Sequence, residues 1–134
     1  MILGCPKEIF KDENRVALTP ESAKQLHKLG YACLLESGAG INANFSDKDY
    51  KNAGVKIVKK ANELWQQSDM ILKVRGPEKS ELSKIRQNQH IISFIWPNQN
   101  KSLLEALNKK KVTAQAMDMI PRISRAQKMD ALSS

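Results

Sequence analysis

Charged and aromatic side chains stand at the ends of apolar segments that have the composition of buried strands. Lys73 and Arg75 lie within and directly after the segment MILKV, Trp96 follows the segment IISFI, and Arg15 comes after the segment MILGC. Ligands gather beyond the carboxyl ends of parallel strands, so these residues are candidates for binding one. Each also has a purely structural explanation, because Lys73 could extend from a strand end into solvent and Trp96 could cover the core.

The last residues, 117–134, form a second polar region. They read MDMIPRISRAQKMDALSS and include Arg122, Arg125, Gln127 and Asp130. Together with the cations at the other segment ends, they predict a polar, cationic rim along one edge of a sheet. Residue types and spacing alone do not define a reaction there.

Several kinds of site are disfavoured by the sequence. Cys5 and Cys33 lie in apolar segments without a Cys-x-x-Cys spacing, which favours buried thiols in a reducing compartment. His27 and His90 are too isolated for a zinc site, so we expect no metal. The turn 38–40, Gly-Ala-Gly, lacks the third glycine and the long helix of a phosphate-binding loop.

The charge balance is basic, with 22 Lys and Arg against 14 Asp and Glu and a net charge of +8. Such a balance suits an anionic or nucleic-acid partner, but the lysines are scattered and their short runs fall near predicted helix ends. The aromatic content of 5% argues against a base-stacking surface. No apolar run is long enough to span a membrane, and the amino terminus has no signal-peptide pattern. We therefore expect a soluble, cytoplasmic chain that does not bind nucleic acid.

Apolar segments alternate with helical patterns along the whole chain. Thr19 and Pro20 suit the start of a helix and Gly30 its end, while Ser46 and Asp49 have the spacing of a capping box. The predicted strands are residues 1–5, 31–37, 55–58, 69–74, 90–96 and 112–117, and the later helices are 46–54, 60–67 and 98–110. This alternation predicts one α/β domain, a three-layer Rossmann-like (flavodoxin-like) fold with a mainly parallel sheet and helices on both faces.

Five motifs carry a resemblance to a known family. RVALTP, ESGAG, ILKVRGP, SFIWP and the closing segment MDMIPRISRAQKMDALSS are similar to the start of the alpha subunit of proton-translocating NAD(P) transhydrogenases. The likeness covers residues 1–134, and SFIWP and PRISRAQ are its specific parts. RVALTP and LKV are shared with the sister family, the alanine dehydrogenases.

The position of Trp96 distinguishes the two families. In alanine dehydrogenases a catalytic histidine stands at the matching position, and an indole cannot serve as general acid and base near neutral pH. Arg15 and Lys73 match the positions with which alanine dehydrogenases hold the substrate carboxylate. The resemblance therefore implies a transhydrogenase in which these two cations are remnants of the fold or part of a rim around the nicotinamide.

The resemblance also implies roles for the closing segment. Arg122 would hold the nicotinamide end of NAD(H), Asp130 would orient Arg122, Gln127 would reach the NADP(H) of a partner domain, and Ser133 would lie just beyond. Direct hydride transfer needs two nicotinamide rings in near contact and no acid or base, so a polar loop that fixes both rings suits the reaction.

The resemblance further implies what accompanies this domain. The Rossmann domain that binds most of the NAD(H) would follow residue 134, so the chain would end at the start of a connecting helix and be inactive alone. The partners implied are an NADP(H)-binding beta subunit or domain, a proton-translocating membrane domain and a second copy of the component. The place implied is the cytoplasmic face of a bacterial inner membrane. The alternatives are an alanine-dehydrogenase-like oxidoreductase and a non-catalytic basic module that binds anions or nucleic acid.

Overall fold

A six-stranded parallel sheet organises the described part of the chain. The computed structural model describes residues 1–95, 105 and 107–116, with the backbone alone at 94, 95 and 113–116. The strands are β1 (Ile2–Cys5), β2 (Ala32–Glu36), β3 (Lys56–Val58), β4 (Met70–Arg75), β5 (His90–Ile95) and β6 (Thr113–Ala116). Every neighbouring pair is parallel, which confirms the Rossmann-like fold class.

The strands are arranged in the order β3-β2-β1-β4-β5-β6. This is the order of dinucleotide-binding Rossmann folds, whereas flavodoxins have the order 2-1-3-4-5. The direction in which strands are added reverses between β1 and β4, and these neighbours pair through Leu3 with Met70 and Gly4 with Ile71. A crevice for ligands in such a sheet is expected beyond the carboxyl ends of these two strands.

Three α-helices lie wholly within the described residues, and local signals account for the start of two of them. These helices are α1 (Pro20–Lys28), α2 (Asp47–Asn52) and α3 (Ala61–Gln67). The Thr19 side chain caps α1, and Ser46 and Asp49 form the capping box of α2, as the sequence predicts. Residues 107–109 are helical, in agreement with the predicted helix 98–110 over the part described. Two 3-10 helices, Ile41–Ala43 and Lys79–Lys84, are not predicted by the sequence.

Two hydrophobic cores cover the two faces of the sheet. Leu26 of α1 and Tyr50 of α2 belong to one core, whereas Leu64 and Trp65 of α3 belong to the other. Strand β4 contributes to both cores: Met70, Leu72 and Val74 to the first and Ile71 to the second. This alternation with a period of two explains the continuous apolar run of a strand covered on both sides.

Cys5 and Cys33 are both buried and free, as predicted. Burial raises the pKa of Cys5 to about 12 and that of Cys33 to about 11, so neither is a thiolate near neutral pH. Among the described residues there is no group of three or more Cys, His, Asp or Glu side chains placed to hold a metal ion. No helix of the described part is long and apolar enough to cross a membrane.

Candidate active-site edge

The candidate site lies where the loops after β1 and β4 leave the sheet next to each other. Residues 6–19 connect β1 to α1, and residues 76–78 connect β4 to the 3-10 helix Lys79–Lys84. Both connections begin at the point where the strand order reverses. Carboxylates and cations from the two segments meet in two groups, one buried and one partly exposed.

The buried group is built around Lys73. Its side chain is 1% exposed, and its Nζ lies 3.1 Å from an oxygen of Glu81 and 3.5 Å from an oxygen of Glu8. The two carboxylates are themselves almost fully buried. The sequence allows Lys73 to extend into solvent, but in the structure its side chain is buried. It bridges the segments that follow β1 and β4.

Each carboxylate of this group has a second task. Glu8 accepts hydrogen bonds from the backbone N–H groups of Val74, at 2.8 Å, and Arg75, at 3.3 Å. Glu81 accepts one from the N–H of Glu78 at 2.9 Å and so caps the 3-10 helix. Burial raises the pKa of Glu8, while the Lys73 ammonium and the two N–H groups act in the opposite direction. The buried group is thus a structural clamp.

The partly exposed group is built around Glu13, whose side chain is 3% exposed. Arg15 donates to it through Nε and Nη2, both at 2.9 Å, in a forked pair. The Nε of Arg75 donates to the same carboxylate at 2.8 Å. The hydrogen bonds from Arg15 are the main cause that lowers the pKa of Glu13 to about 2, so Glu13 is a carboxylate over the physiological range.

A groove lies beside this second group. The guanidinium of Arg75 stands 4.0 Å from the ring centre of Phe10, a cation–π contact. Ile9 and Phe10 are 50% and 43% exposed, although both are large hydrophobic residues. Together they line a space of about 600 Å³ with Lys11, Glu78, Lys79 and Ser80. We name this space the switch groove, because it lies beside the point where the strand order reverses.

Arg15 lines a second hollow, which has a volume of about 390 Å³. It is bounded by the start of α1 and by the 3-10 helix Ile41–Ala43. Its polar lining consists of Asn14, Arg15, Thr19, Asn42 and Asn44. Such a lining suits a polar occupant or ordered water.

The turn after β2 is not available to bind a phosphate. Asp47 of α2 accepts hydrogen bonds from the Ser37 hydroxyl, at 2.6 Å, and from the Gly38 N–H, at 2.9 Å. The hydroxyl bond is the main cause that lowers the pKa of Asp47, so the turn already holds an anion from its own chain. A dinucleotide pyrophosphate needs free N–H groups at a glycine-rich turn, and this turn does not fit one.

The sequence-predicted site residues are placed as follows. Arg15 lies at the edge, but its charged neighbours there are Glu13 and Arg75, while Lys73 turns to Glu8 and Glu81. Arg15 and Lys73, which match the positions that hold the substrate carboxylate in alanine dehydrogenases, thus pair with different carboxylates of this chain. The other predicted residues lie outside the described residues; they are Trp96, Arg122, Gln127, Asp130 and Ser133.

Three glutamates of this edge were missed by the sequence reasoning. Glu8 and Glu13 precede α1 in a segment without hydrophobic periodicity, and Glu81 lies in the unpredicted 3-10 helix. Only Glu13 had a local signal, because Arg15 follows two residues later. The partners of Glu8 and Glu81 depend on the adjacency of β1 and β4, which the sequence does not specify.

Comparisons with known proteins agree with one another. A family model described as "Alanine dehydrogenase/PNT, N-terminal domain" matches residues 4–134. The chain is 55% identical over 134 residues to NAD(P) transhydrogenase subunit alpha of Cereibacter sphaeroides, spanning 100% of this chain and 26% of that protein. It is 32% identical over 120 residues to alanine dehydrogenase of Mycolicibacterium smegmatis, spanning 90% of this chain and 32% of the relative.

A solved structure is similar over nearly the whole chain. The crystal structure of a transhydrogenase from Sinorhizobium meliloti superimposes with a TM-score of 0.81 at 36% identity, covering 99% of this chain and 40% of that one. The chain thus spans between about a quarter and two fifths of the proteins that it matches.

Proposed function

Because the chain belongs to the N-terminal domain family of alanine dehydrogenases and PNT proteins, we propose that it is the first domain of an NAD(P) transhydrogenase alpha subunit. The enzyme would transfer hydride between NAD(H) and NADP(H) and couple the transfer to proton translocation. The observation that carries this proposal is the difference in identity, 55% to a transhydrogenase subunit against 32% to an alanine dehydrogenase.

The charges of the described edge support the same choice. A dehydrogenase that acts on a small amino acid needs cations that are free to hold a carboxylate. Lys73 is enclosed by Glu8 and Glu81, and moving its ammonium to a substrate would leave two buried carboxylates without a partner. The residue type at position 96 supports the same choice, because alanine dehydrogenation would need a proton-transferring group where this chain has Trp96.

We assign the chemistry to the segment after β6. Arg122 would hold the nicotinamide end of NAD(H), Asp130 would orient Arg122, and Gln127 would face the NADP(H) of the partner domain, with Ser133 nearby. Support comes from the position of β6, whose carboxyl end lies at the same sheet edge as the clamp and the switch groove. A segment that leaves this edge can reach a ligand in the crevice.

The cofactors would be bound mainly outside this domain. The one glycine-rich turn of the described residues is filled by Asp47, which favours an NAD(H) phosphate site in another part of the subunit. NADP(H) would be carried by a beta subunit or domain. We propose that residues 1–134 alone bind NAD(H) weakly and transfer no hydride.

The assembly proposed for the complete enzyme follows from this assignment. The component would form a homodimer at the cytoplasmic face of the bacterial inner membrane, next to the NADP(H)-binding domain and a membrane domain. The absence of a membrane-spanning helix among the described residues agrees with a peripheral position.

The test uses the complete alpha subunit mixed with its NADP(H)-binding partner. Hydride transfer from NADH to an NADP⁺ analogue is measured for wild type, for Gln127→Ala and for the control Gln66→Ala, an exposed glutamine of α3. We expect Gln127→Ala to lose about tenfold or more, equivalent to about 1.4 kcal/mol of barrier, and Gln66→Ala to match wild type. Alanine-dependent reduction of NAD⁺, with Gln127→Ala indistinguishable from wild type, would reject the proposal in favour of alanine dehydrogenation.

A further inference from the structure

Two glutamates anchor the loop after β1 to β4, and their surroundings differ. Glu8 accepts hydrogen bonds from the backbone N–H groups of Val74 and Arg75, and Glu13 accepts one from Nε of Arg75. Residues 9–12 between the two anchors include the apolar side chains that line the switch groove. Whether this part of the groove is fixed therefore depends on both glutamates.

Glu8 belongs to a buried group with an excess of negative charge. Two buried carboxylates, Glu8 and Glu81, share the single ammonium of Lys73. The Cys5 thiol of β1 adds no charge, because burial raises its pKa to about 12. A further charge that acts on Glu8 is Arg15 of the same loop, whose side chain is 45% exposed and therefore screened by water. Uptake of one proton would leave the buried group neutral, and burial favours that state.

Glu13 has the opposite surroundings, because two cations share one carboxylate. The hydrogen bonds from Arg15 are the main cause that lowers its pKa to about 2, and the bond from Arg75 acts in the same direction. Glu13 therefore stays ionised in mildly acidic solution and keeps its bond to Arg75. The two anchors of one loop thus respond differently to a fall in pH.

From this difference we infer that Glu8 is a releasable anchor: it binds a proton in the folded protein under mildly acidic conditions and then loosens the start of the loop from β4. Each carboxylate oxygen of Glu8 faces one N–H group, that of Val74 at 2.8 Å or that of Arg75 at 3.3 Å. A proton on either oxygen turns an acceptor that is in use into a donor, so one of the two bonds is weakened.

The expected change is local. Phe10 stays beside the Arg75 guanidinium, which Glu13 still holds, whereas Ile9 next to Glu8 gains freedom and the switch groove widens at that end. Burial raises the pKa of Glu8 above its unfolded value, so this proton uptake favours the folded state as the pH falls. Release of the anchor is therefore distinct from unfolding, and it does not depend on the proposed reaction.

Carbon-13 NMR of the side-chain carboxyl groups tests the proton binding. The signals of the 134-residue chain are followed from pH 7 down to pH 4, with Glu21, an exposed residue of α1, as the internal reference. We expect Glu8 to titrate at a higher pH than Glu21. A Glu8 midpoint at or below that of Glu21, or a proton that binds to Glu81 instead, would overturn the inference.

Amide hydrogen exchange tests the release. After correction for the intrinsic exchange rate, we expect the protection of the Val74 or the Arg75 amide to fall by about tenfold or more as Glu8 is protonated, while the amide of Ile71, a fully buried residue of β4, keeps its protection. Amides of Val74 and Arg75 that both stay protected would overturn the inference. An equal loss at Ile71 would also overturn it, because the whole sheet would then be opening.

A substitution that imitates the protonated carboxyl provides the second arm. In Glu8→Gln, which keeps one acceptor oxygen, the same amide should already exchange fast at pH 7, and the control Glu21→Gln should match wild type. Wild-type protection in Glu8→Gln would contradict the inference. The wild-type profile decides the question without this variant, should Glu8→Gln be unstable.

Discussion

The Nε of Arg75 lies 2.8 Å from Oε1 of Glu13, across 62 residues of sequence. This bond joins the loop after β1 to the end of β4, on the partly exposed side of the candidate edge. Lys73 makes an equivalent connection on the buried side through Glu8 and Glu81. The two connections fix the relative positions of the loops that line the switch groove.

Replacing Lys73 by methionine should destabilise the protein strongly. The substitution leaves Glu8 and Glu81 buried without a cation, and breaking a buried ion pair from one side costs about 3–5 kcal/mol. Urea unfolding at pH 7 gives the difference, with Lys24→Met on the exposed face of α1 as a control expected within about 0.5 kcal/mol of wild type. Lowering the pH should restore part of the loss, because burial raises the pKa of Glu8 and its protonation removes one of the unpaired charges; a loss that is the same at pH 7 and pH 5 would contradict this account.

Glu13 should make the stability depend on pH in the acid range. Its folded-state pKa is lowered from 4.5 to about 2, so its contribution is fully present above the unfolded value and is lost as the pH falls from about 4.5 towards 2. In Glu13→Gln the free energy of unfolding should therefore fall less steeply between these values than in wild type. Asp47 and Asp69, whose pKa values are also lowered, keep some of the slope in both proteins. Equal slopes for Glu13→Gln and for the exposed control Glu21→Gln would show that Glu13 carries none of it.

Removing the hydroxyl of Tyr50 should lower the free energy of unfolding more than removing a hydroxyl at the protein surface. It is fully buried and donates a hydrogen bond of 2.6 Å to the carbonyl of Leu18, which joins α2 to the residue before the cap of α1. Tyr50→Phe leaves this carbonyl without its donor, and we expect a cost of about 1–3 kcal/mol in thermal or urea unfolding. Tyr31→Phe is the matched control, because Tyr31 is only partly buried; an equal effect of both substitutions would mean that the Tyr50 bond is not the cause.

The thiols of Cys5 and Cys33 should be unreactive in the native protein. Burial raises the pKa of Cys5 to about 12 and that of Cys33 to about 11, and reaction with a disulfide reagent requires the thiolate. At pH 8 we expect reaction only as fast as the protein unfolds, and full reaction of both thiols in concentrated urea. A fast native phase that Cys33→Ala abolishes would show that this strand opens locally.

Local signals in the sequence are sufficient for the starts of α1 and α2 and for the sheet strands. The cap at Thr19 and the capping box at Ser46 depend on residues within three positions, so the sequence contains everything needed to predict them. The apolar run of β4 likewise predicts a strand covered on both faces. Strand order is a different matter, because it is decided by which strand packs beside β1.

The candidate edge could be predicted only in part for the same reason. Arg15 was found because it follows an apolar segment, but its arrangement with Arg75 through Glu13 exists only when β1 and β4 are neighbours. For Lys73 the sequence allows either a ligand-binding role or a side chain that extends from the strand into solvent. The unpredicted 3-10 helix instead places Glu81 over it, and a charge that looks solvated in the sequence becomes a buried partner.

The hydrogen bonds that Glu8 accepts from the backbone N–H groups of Val74 and Arg75 explain why a crevice forms between β1 and β4. Backbone pairing between β1 and β4 stops at Gly4 and Ile71, although β4 continues to Arg75. The Glu8 carboxylate takes the place of a carbonyl that a longer β1 would have offered to this end of β4. The Glu8 side chain thus replaces backbone hydrogen bonding between β1 and β4 beyond the end of β1. The main chain is released from strand geometry after Cys5 and can turn away from β4, leaving open the space that a sixth or seventh residue of β1 would have filled.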